Sequence, residues 1–431
     1  MKTVAIFTVG GSPEPIINAI KELKPDFIYF ICSSGTSKAA SERIVDGKPL
    51  KEEEIIIKDA IELPAYEKIL IPLEKVDWLD EVYSILEKEL VTRIKEHIKN
   101  NPNLRIIANY TGGTKTMSAA LVLFSIFEEN LELQINTAER SNLIKVDKGD
   151  SPVAINKIKF LLKLDFKLWE ELMQKFYYEN ILEKIKIYLR SPVLPSELKN
   201  KLINLKTLLS AFILWDTFNH KDALPLLERV YESTKNKKIL QYYLTLKFML
   251  EKKEKMSYEM VFDLLKNAER RALQKRFDDA VARLYRAIEM LAQIRLNTAY
   301  NIDPGNIEIN TIQKLPAQAK EFLINEYEKN KDEKGKLKIA LTKCYELLSA
   351  LEDPVGIFYS KVKEKFLNTI KLRNNSILAH GIDPISEEQY KDVYEFVKNF
   401  ICTTLEEKIK YKFKYPIPQF PQSFEEIELV L

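Results

Sequence analysis

Long apolar runs are missing from this chain. Its longest strongly apolar stretch without a charge, Met117 to Phe127, is too short to span a bilayer. No membrane role is expected, and the cytoplasm is the expected compartment. Cysteine is scarce: Cys32, Cys344 and Cys402 are three scattered thiols in 431 residues. That excludes a disulfide framework, and the spacing is not that of a zinc site, so no metal is expected. The opening MKTVAIFTVGGSPEP lacks a signal-peptide cleavage pattern. No sign of charge dominates, with 66 Lys+Arg against 63 Asp+Glu. At 46% hydrophobic and 30% charged residues, the composition is that of a globular protein able to bury a large core.

Glycine is rare and unevenly placed. Seven of the 11 glycines (10, 11, 35, 47, 112, 113 and 149) lie in the first 150 residues. Charge divides at the same point, with 19 basic against 24 acidic residues before it and 47 against 39 after it. A glycine-punctuated segment followed by a Lys/Glu/Leu-rich one predicts an α/β domain followed by helical ones.

In the first segment, β-branched runs recur at 2–9, 26–33, 53–58, 104–110 and 131–136, with helical patterns at 80–99 and 115–128. Buried strands joined by crossover helices predict a Rossmann-like, mostly parallel sheet, whose ligands sit beyond the carboxyl ends of the strands. Three of the strands run into small polar loops: TVGGSPEP, CSSGTSK and NYTGGTK. TGGTK (111–115) opens a helix, where first-turn amides and Lys115 favour an anion. Its spacing is not that of a Walker loop, and GGSPEP is not a GxGxxG fingerprint. A tight structural turn is the rival reading of either loop taken alone. Together they suit a nucleotide with few phosphates.

From about 155 to 410 the periodicity is helical. The stretches 213–231 and 271–296 share a plan, read either as a vestigial helical-hairpin repeat or as ordinary amphipathicity. Asp303-Pro304-Gly305-Asn306 is a turn, and Ser386-Glu-Glu-Gln389 is a capping box opening a last long helix. The proline-containing tail 411–431 is expected to be extended and to wrap another surface. Of three histidines, His97 reads as a solvated surface residue and His220 as a structural one. His380 stands near the end of LRNNSILAHG, seven residues after Arg373, with polar Asn374 beside the arginine. If one helix holds both, Arg373 and His380 share a face roughly 10 Å apart. Two such helices crossing at a two-fold axis would join the His of one chain to the Arg of the other. A capping His and a surface Arg are the plain alternative.

The loops TVGGSPEPI and NYTGGTKTMSAAL resemble those of CARF domains of CRISPR-associated proteins. LRNNSILAHG resembles the R-x(4–6)-H signature of HEPN ribonucleases, and KRFDDAVARLYRAIEMLAQIRL resembles their companion helix. The resemblance implies a CARF–HEPN ribonuclease of type III CRISPR antiviral defence, with a CARF domain at 1–154, a helical connector at 155–265 and a HEPN domain at 266–431. It implies a homodimer that binds cyclic oligoadenylate through Gly10, Gly11, Ser12, Thr111, Gly112, Gly113, Thr114 and Lys115. Ser34 and Thr36 follow from loop position, and Thr8 adds a hydroxyl. Cyclic tetra-adenylate is expected ahead of the hexamer, as an allosteric activator and not a required cofactor. Arg373 and His380 are the implied catalytic pair and Asn374 their support; Arg283, Arg286 and Glu289 are looser carry-overs. The implied reaction is metal-independent cleavage of single-stranded RNA to 2′,3′-cyclic phosphate and 5′-hydroxyl ends. The rivals are a ring nuclease that degrades its own activator, with Thr8, Ser12 and Thr111 orienting a 2′-OH, and a ligand-sensing scaffold without chemistry.

Overall fold

A computed structural model describes residues 2–128, 130–137, 151–155, 157–191, 194–252, 256–333, 335–379 and 381–428. The chain divides into two compact units, Met1–Asp165 and Phe166–Leu431. The expected helical connector at 155–265 and HEPN domain at 266–431 fall, apart from residues 155–165, within the second unit.

The first unit alternates strand and helix: β1 (Thr3–Thr8), α1 (Glu14–Leu23), β2 (Phe27–Ser34), α2 (Glu42–Asp46), α3 (Ile57–Ala60) and β3 (Ala65–Pro72). It continues with α4 (Leu79–Asn100), β4 (Arg105–Asn109), α5 (Lys115–Phe127), β5 (Leu131–Thr137) and β6 (Ser151–Ile155). The sheet order is β3-β2-β1-β4-β5-β6, parallel except for β6, which runs antiparallel to β5. Side chains alternate across it, as strand geometry requires. Val4 and Ile6 pack with Leu86, Leu90, Met117 and Leu121 on the α4/α5 face. Ala5 and Phe7 pack with Ile16, Ile20 and Ile57 on the α1/α3 face.

One expected strand is wrong. Residues 53–58 form no strand: Ile55 is exposed, and Ile57 opens α3 and plugs the α1 face. The third strand is instead AYEKILIP, an edge strand whose charged residues Glu67 and Lys68 meet solvent-side partners Arg93 and Asp46. An edge strand needs only one buried face, which leaves a weak apolar signature. His97 is also not a free surface residue, since its Nε2 lies 2.9 Å from Tyr29 Oη beside the Phe27 ring.

The helix α6 (Ile158–Gln174) leads into α7 (Tyr178–Arg190), α8 (Ser196–Asp216), α9 (His220–Thr234) and α10 (Lys237–Glu251). Then follow α11 (Tyr258–Leu273), α12 (Phe277–Tyr300), β7 (Ile307–Glu308), α13 (Ile309–Gln313), α14 (Ala317–Asn330), β8 (Lys336–Leu337) and α15 (Leu341–Ala350). Two long helices, α16 (Pro354–Asn374) and α17 (Glu387–Thr403), finish the series. The Ser386–Gln389 capping box opens α17, with both reciprocal bonds formed. The two stretches that share a plan are each broken by the same turn, at Thr217–Asn219 and Gln274–Arg276. In both, a left-handed residue, Phe218 or Lys275, donates its N–H to a carbonyl three residues back, and the next residue bonds five back.

The tail turns back over this second unit. Tyr178 and Tyr242 donate to the carbonyls of Pro421 and Gln419, and Phe420 packs on Phe212 and Trp215. Arg270 is buried beneath it, stacked 3.8 Å from the Phe420 ring and bonded to Asp216 and Gln419. A buried guanidinium persists only with such partners. His220 is structural, 3.0 Å from buried Asp263.

Candidate functional site

In the first unit, β1 lies between β2 and β4, and the helices that follow β1 and β4 leave toward opposite faces. The crevice outside such a reversal is where open α/β sheets take ligands. Both glycine loops open onto it, and they touch. A Cβ on Gly10 would lie 2.9 Å from Gly113 N, and one on Gly112 would lie 2.3 Å from Thr8 O. Gly113 also has φ +85°, which disfavours any side chain. These glycines are required by close backbone approach.

The hydroxyls have been put to other uses than the sequence suggested. Thr8 is fully buried and donates to Gly112 O at 2.7 Å, an oxygen that Ser118 Oγ also reaches at 2.7 Å. Thr111 Oγ1 donates to Asn109 Oδ1 at 2.6 Å and accepts from Asn136 N at 2.8 Å. Thr114 caps α5 by accepting from Met117 N. These three groups build the loop. Gly11, Ser12, Thr36 and Lys115 are exposed at the strand ends, and Ser34 is half-buried, its carbonyl accepting from Leu73 N.

Sequence reasoning missed Asn109 and Asn136. Both are buried; Asn109 Nδ2 donates to Asn136 Oδ1 at 2.8 Å, and Asn136 Nδ2 donates to Pro15 O at 2.7 Å. The pair therefore links the TGGTK loop, β5 and the start of α1. The available signal was an asparagine near the end of each of two apolar strands, a costly burial without partners.

In the second unit, Arg373 lies at the end of α16. Its guanidinium stacks 4.6 Å from the Tyr285 ring of α12, and Nη1 donates to Asn374 Oδ1 at 3.2 Å. Burial raises the Tyr285 hydroxyl pKa and nearby Glu289 adds to this, while Arg373 opposes it. Arg373, at the end of α16, is thus held against Tyr285 of α12 and bonded to its neighbour Asn374. His380 lies outside the described residues. Arg283 is committed to Asp279 and Asn267, and Arg286 to Glu289 and Gln293.

The idea that one helix carries Arg373 through to position 380 is corrected. Helix α16 ends at Asn374 with Asn375 as its cap. Asn374, Asn375 and Ser376 are residues whose side chains compete with helical bonding. Ser376 Oγ donates to Arg373 O at 2.8 Å, and the Ser376 carbonyl accepts from both Ala379 N and Gly381 N. Ser376 is also bridged to Asp383. A Cβ at Gly381 would stand 1.7 Å from Asn375 O, so only glycine fits this turn. The chain on both sides of position 380 thus folds back to a residue three places from Arg373.

Residues 249–404 match a family model described as the Csm6 HEPN domain. This stretch, from the end of α10 through α17, is similar to a HEPN domain. Over the whole chain the fold is similar to that of Enterococcus italicus Csm6 bound to cyclic hexa-2′-fluoro-hexa-dAMP, with TM-score 0.63, 13% identity and 100% of both chains covered. The fold shared with that structure is an α/β unit with a mostly parallel six-stranded sheet followed by a long series of helices. No curated protein matches the chain. Among the described residues, no helix is long and apolar enough to cross a membrane.

Proposed function

We propose that the chain is a cytoplasmic RNA endonuclease of type III CRISPR defence, switched on by a cyclic oligoadenylate. The observation that carries this reading is the similarity of 249–404, which contains Arg373, to a HEPN domain, in a chain whose first unit opens paired glycine loops at a sheet switch point. Gly10, Gly112 and Gly113 let the two loops close on each other, and exposed Gly11, Ser12 and Lys115 form the rim that would meet the phosphates. The solved structure of similar fold holds a hexameric adenylate analogue. The activator here is therefore tested as both hexamer and the tetramer that the sequence reading favours.

Two protomers form the working enzyme. In each site, Arg373 of one chain and His380 of the other meet the scissile phosphate. The RNA 2′-oxygen attacks phosphorus, the P–O5′ bond breaks, and a 2′,3′-cyclic phosphate and a 5′-hydroxyl result. The imidazole assists transfer of the 2′-OH proton to the leaving oxygen, and the guanidinium stabilises charge on the phosphorane. The Tyr285 ring and the Asn374 amide hold that guanidinium in place. No metal is required for these steps.

The test compares wild type, Arg373→Ala and His380→Ala with cyclic tetra- and hexa-adenylate and labelled single-stranded RNA. Both variants should bind the ring as wild type does and lose RNA cleavage. Normal cutting by His380→Ala would refute the assignment. A ring-degrading activity has weaker support, since Thr8 and Thr111 are engaged within the loop and only Ser12 of the three hydroxyls is exposed.

A further inference from the structure

Between the last helical turn and the tail proper, the chain reads Lys408-Ile-Lys-Tyr-Lys-Phe-Lys-Tyr415. Lysine and aromatic residues alternate, and burial alternates with them. Lys410, Lys412 and Lys414 are exposed, while Tyr411, Phe413 and Tyr415 are half-buried. The rings rest on the helices below: Tyr411 on Tyr258, Phe413 on Phe262 and Tyr415 on Phe248. Tyr411 is fixed further by bonds from Lys252 and to Glu259, at 2.6 and 2.7 Å. Among the described residues, none of the three exposed lysines has a carboxylate partner; Lys414 lies instead over the Phe248 and Tyr415 rings. Structural lysines elsewhere in the unit behave differently, as Lys252 and Lys343 are both paired with glutamates.

We infer that residues 410–415 are a docking track for single-stranded RNA. Cations without carboxylate partners interleaved with partly exposed aromatic side chains are the combination that binds single strands, through phosphates and base contacts. A lipid surface would call for exposed apolar groups between the lysines, yet here the rings are packed down on α10 and α11. The track and Arg373 lie in the same unit. Tyr258, under Tyr411, stands beside Arg295 and Thr298 of α12, whereas Arg373 stacks on Tyr285 of that helix. The ten residues from Tyr285 to Arg295 span roughly 15 Å, within reach of a strand a few nucleotides long. The inference rests on the nuclease reading for the identity of the RNA as substrate, but its binding test does not.

Binding of a fluorescent 2′-O-methyl oligoribonucleotide, which cannot be cleaved, is measured at several salt concentrations by anisotropy. Single-strand contacts contribute about 0.7 each to the logarithmic salt slope. Lys410→Gln/Lys412→Gln/Lys414→Gln should therefore lower the slope by about two and weaken binding at least about tenfold. Lys412→Gln alone, expected to lower the slope by about 0.7, keeps the test sharp if the triple variant does not fold. With cleavable RNA, the triple variant should raise KM and leave kcat and ring binding unchanged. Unaltered affinity and slope would overturn the track. So would tighter wild-type binding to phosphatidylserine vesicles than to RNA, abolished by the same changes. Failure of wild type to cleave any RNA would reject the nuclease reading while leaving the binding result intact.

Discussion

At the residue scale, Ser376 and Gly381 decide where α16 ends after Arg373 and how the chain returns. The Gly381 position excludes even a methyl group, because Asn375 O occupies its space. Gly381→Ala is expected to cut RNA cleavage at least about tenfold while cyclic adenylate binding stays as in wild type, since a misplacement near the reacting groups costs orders of magnitude. Single-turnover cleavage and calorimetric titration of the ring check the two halves. Thr111→Val removes the hydroxyl that joins Asn109 Oδ1 to Asn136 N, leaving the weaker link from Thr111 N to Asn109 Oδ1. It should destabilise the first unit by about 1–3 kcal/mol in urea unfolding and weaken ring binding. Equal stability would show that the hydroxyl is not a structural joint.

The tight turns at Gly10, Gly112 and Gly113 were legible in the sequence because close backbone approach leaves no substitute for glycine. The roles of the threonines were not, because a hydroxyl facing a ligand and one bonded to a neighbouring loop are written with the same letter. The end of α16 is hidden in the sequence for a related reason. LRNNSILAHG keeps apolar residues at helical spacing, yet Asn374, Asn375 and Ser376 offered the backbone a competing set of bonds. That local competition, and not periodicity, set the boundary.

Among elements, the edge strand β3 and the run at 53–58 show the limit of composition. Three consecutive isoleucines mark burial, and they are buried in part, but as a loop and a short helix under α1. The capping box shows the reverse case, where spacing alone located α17. Ser386→Ala removes the bond accepted from Gln389 N and should cost about 1 kcal/mol in thermal unfolding. The anchor of the lysine–aromatic run is sensitive to acid. Burial raises the Glu259 pKa, but the bonds from Lys252 and Tyr411 outweigh it and hold the carboxyl below its ordinary value. A carboxylate depressed in the folded state contributes stability above its unfolded pKa and loses it as pH falls through the folded one. Unfolding followed from neutral pH down through the carboxylate range should show this loss in wild type and a flatter profile in Glu259→Gln.

For the whole molecule, the near balance of charge conceals a division, with the acidic excess in the first 150 residues and the basic excess in the remainder. The basic excess lies where the proposed RNA contacts are, whereas the acidic excess gives a small anionic ligand no long-range attraction, so loop amides and Lys115 would have to hold it locally. The central claim is that each RNA-cutting site takes its arginine from one chain and its histidine from the other. It is tested by mixing Arg373→Ala and His380→Ala proteins after subunit exchange and measuring activator-dependent RNA cleavage. Random pairing makes half the dimers mixed, each with one intact site of two, so about a quarter of wild-type activity should return. Cleavage that stays at the level of either variant alone, with mixed dimers present, would contradict it.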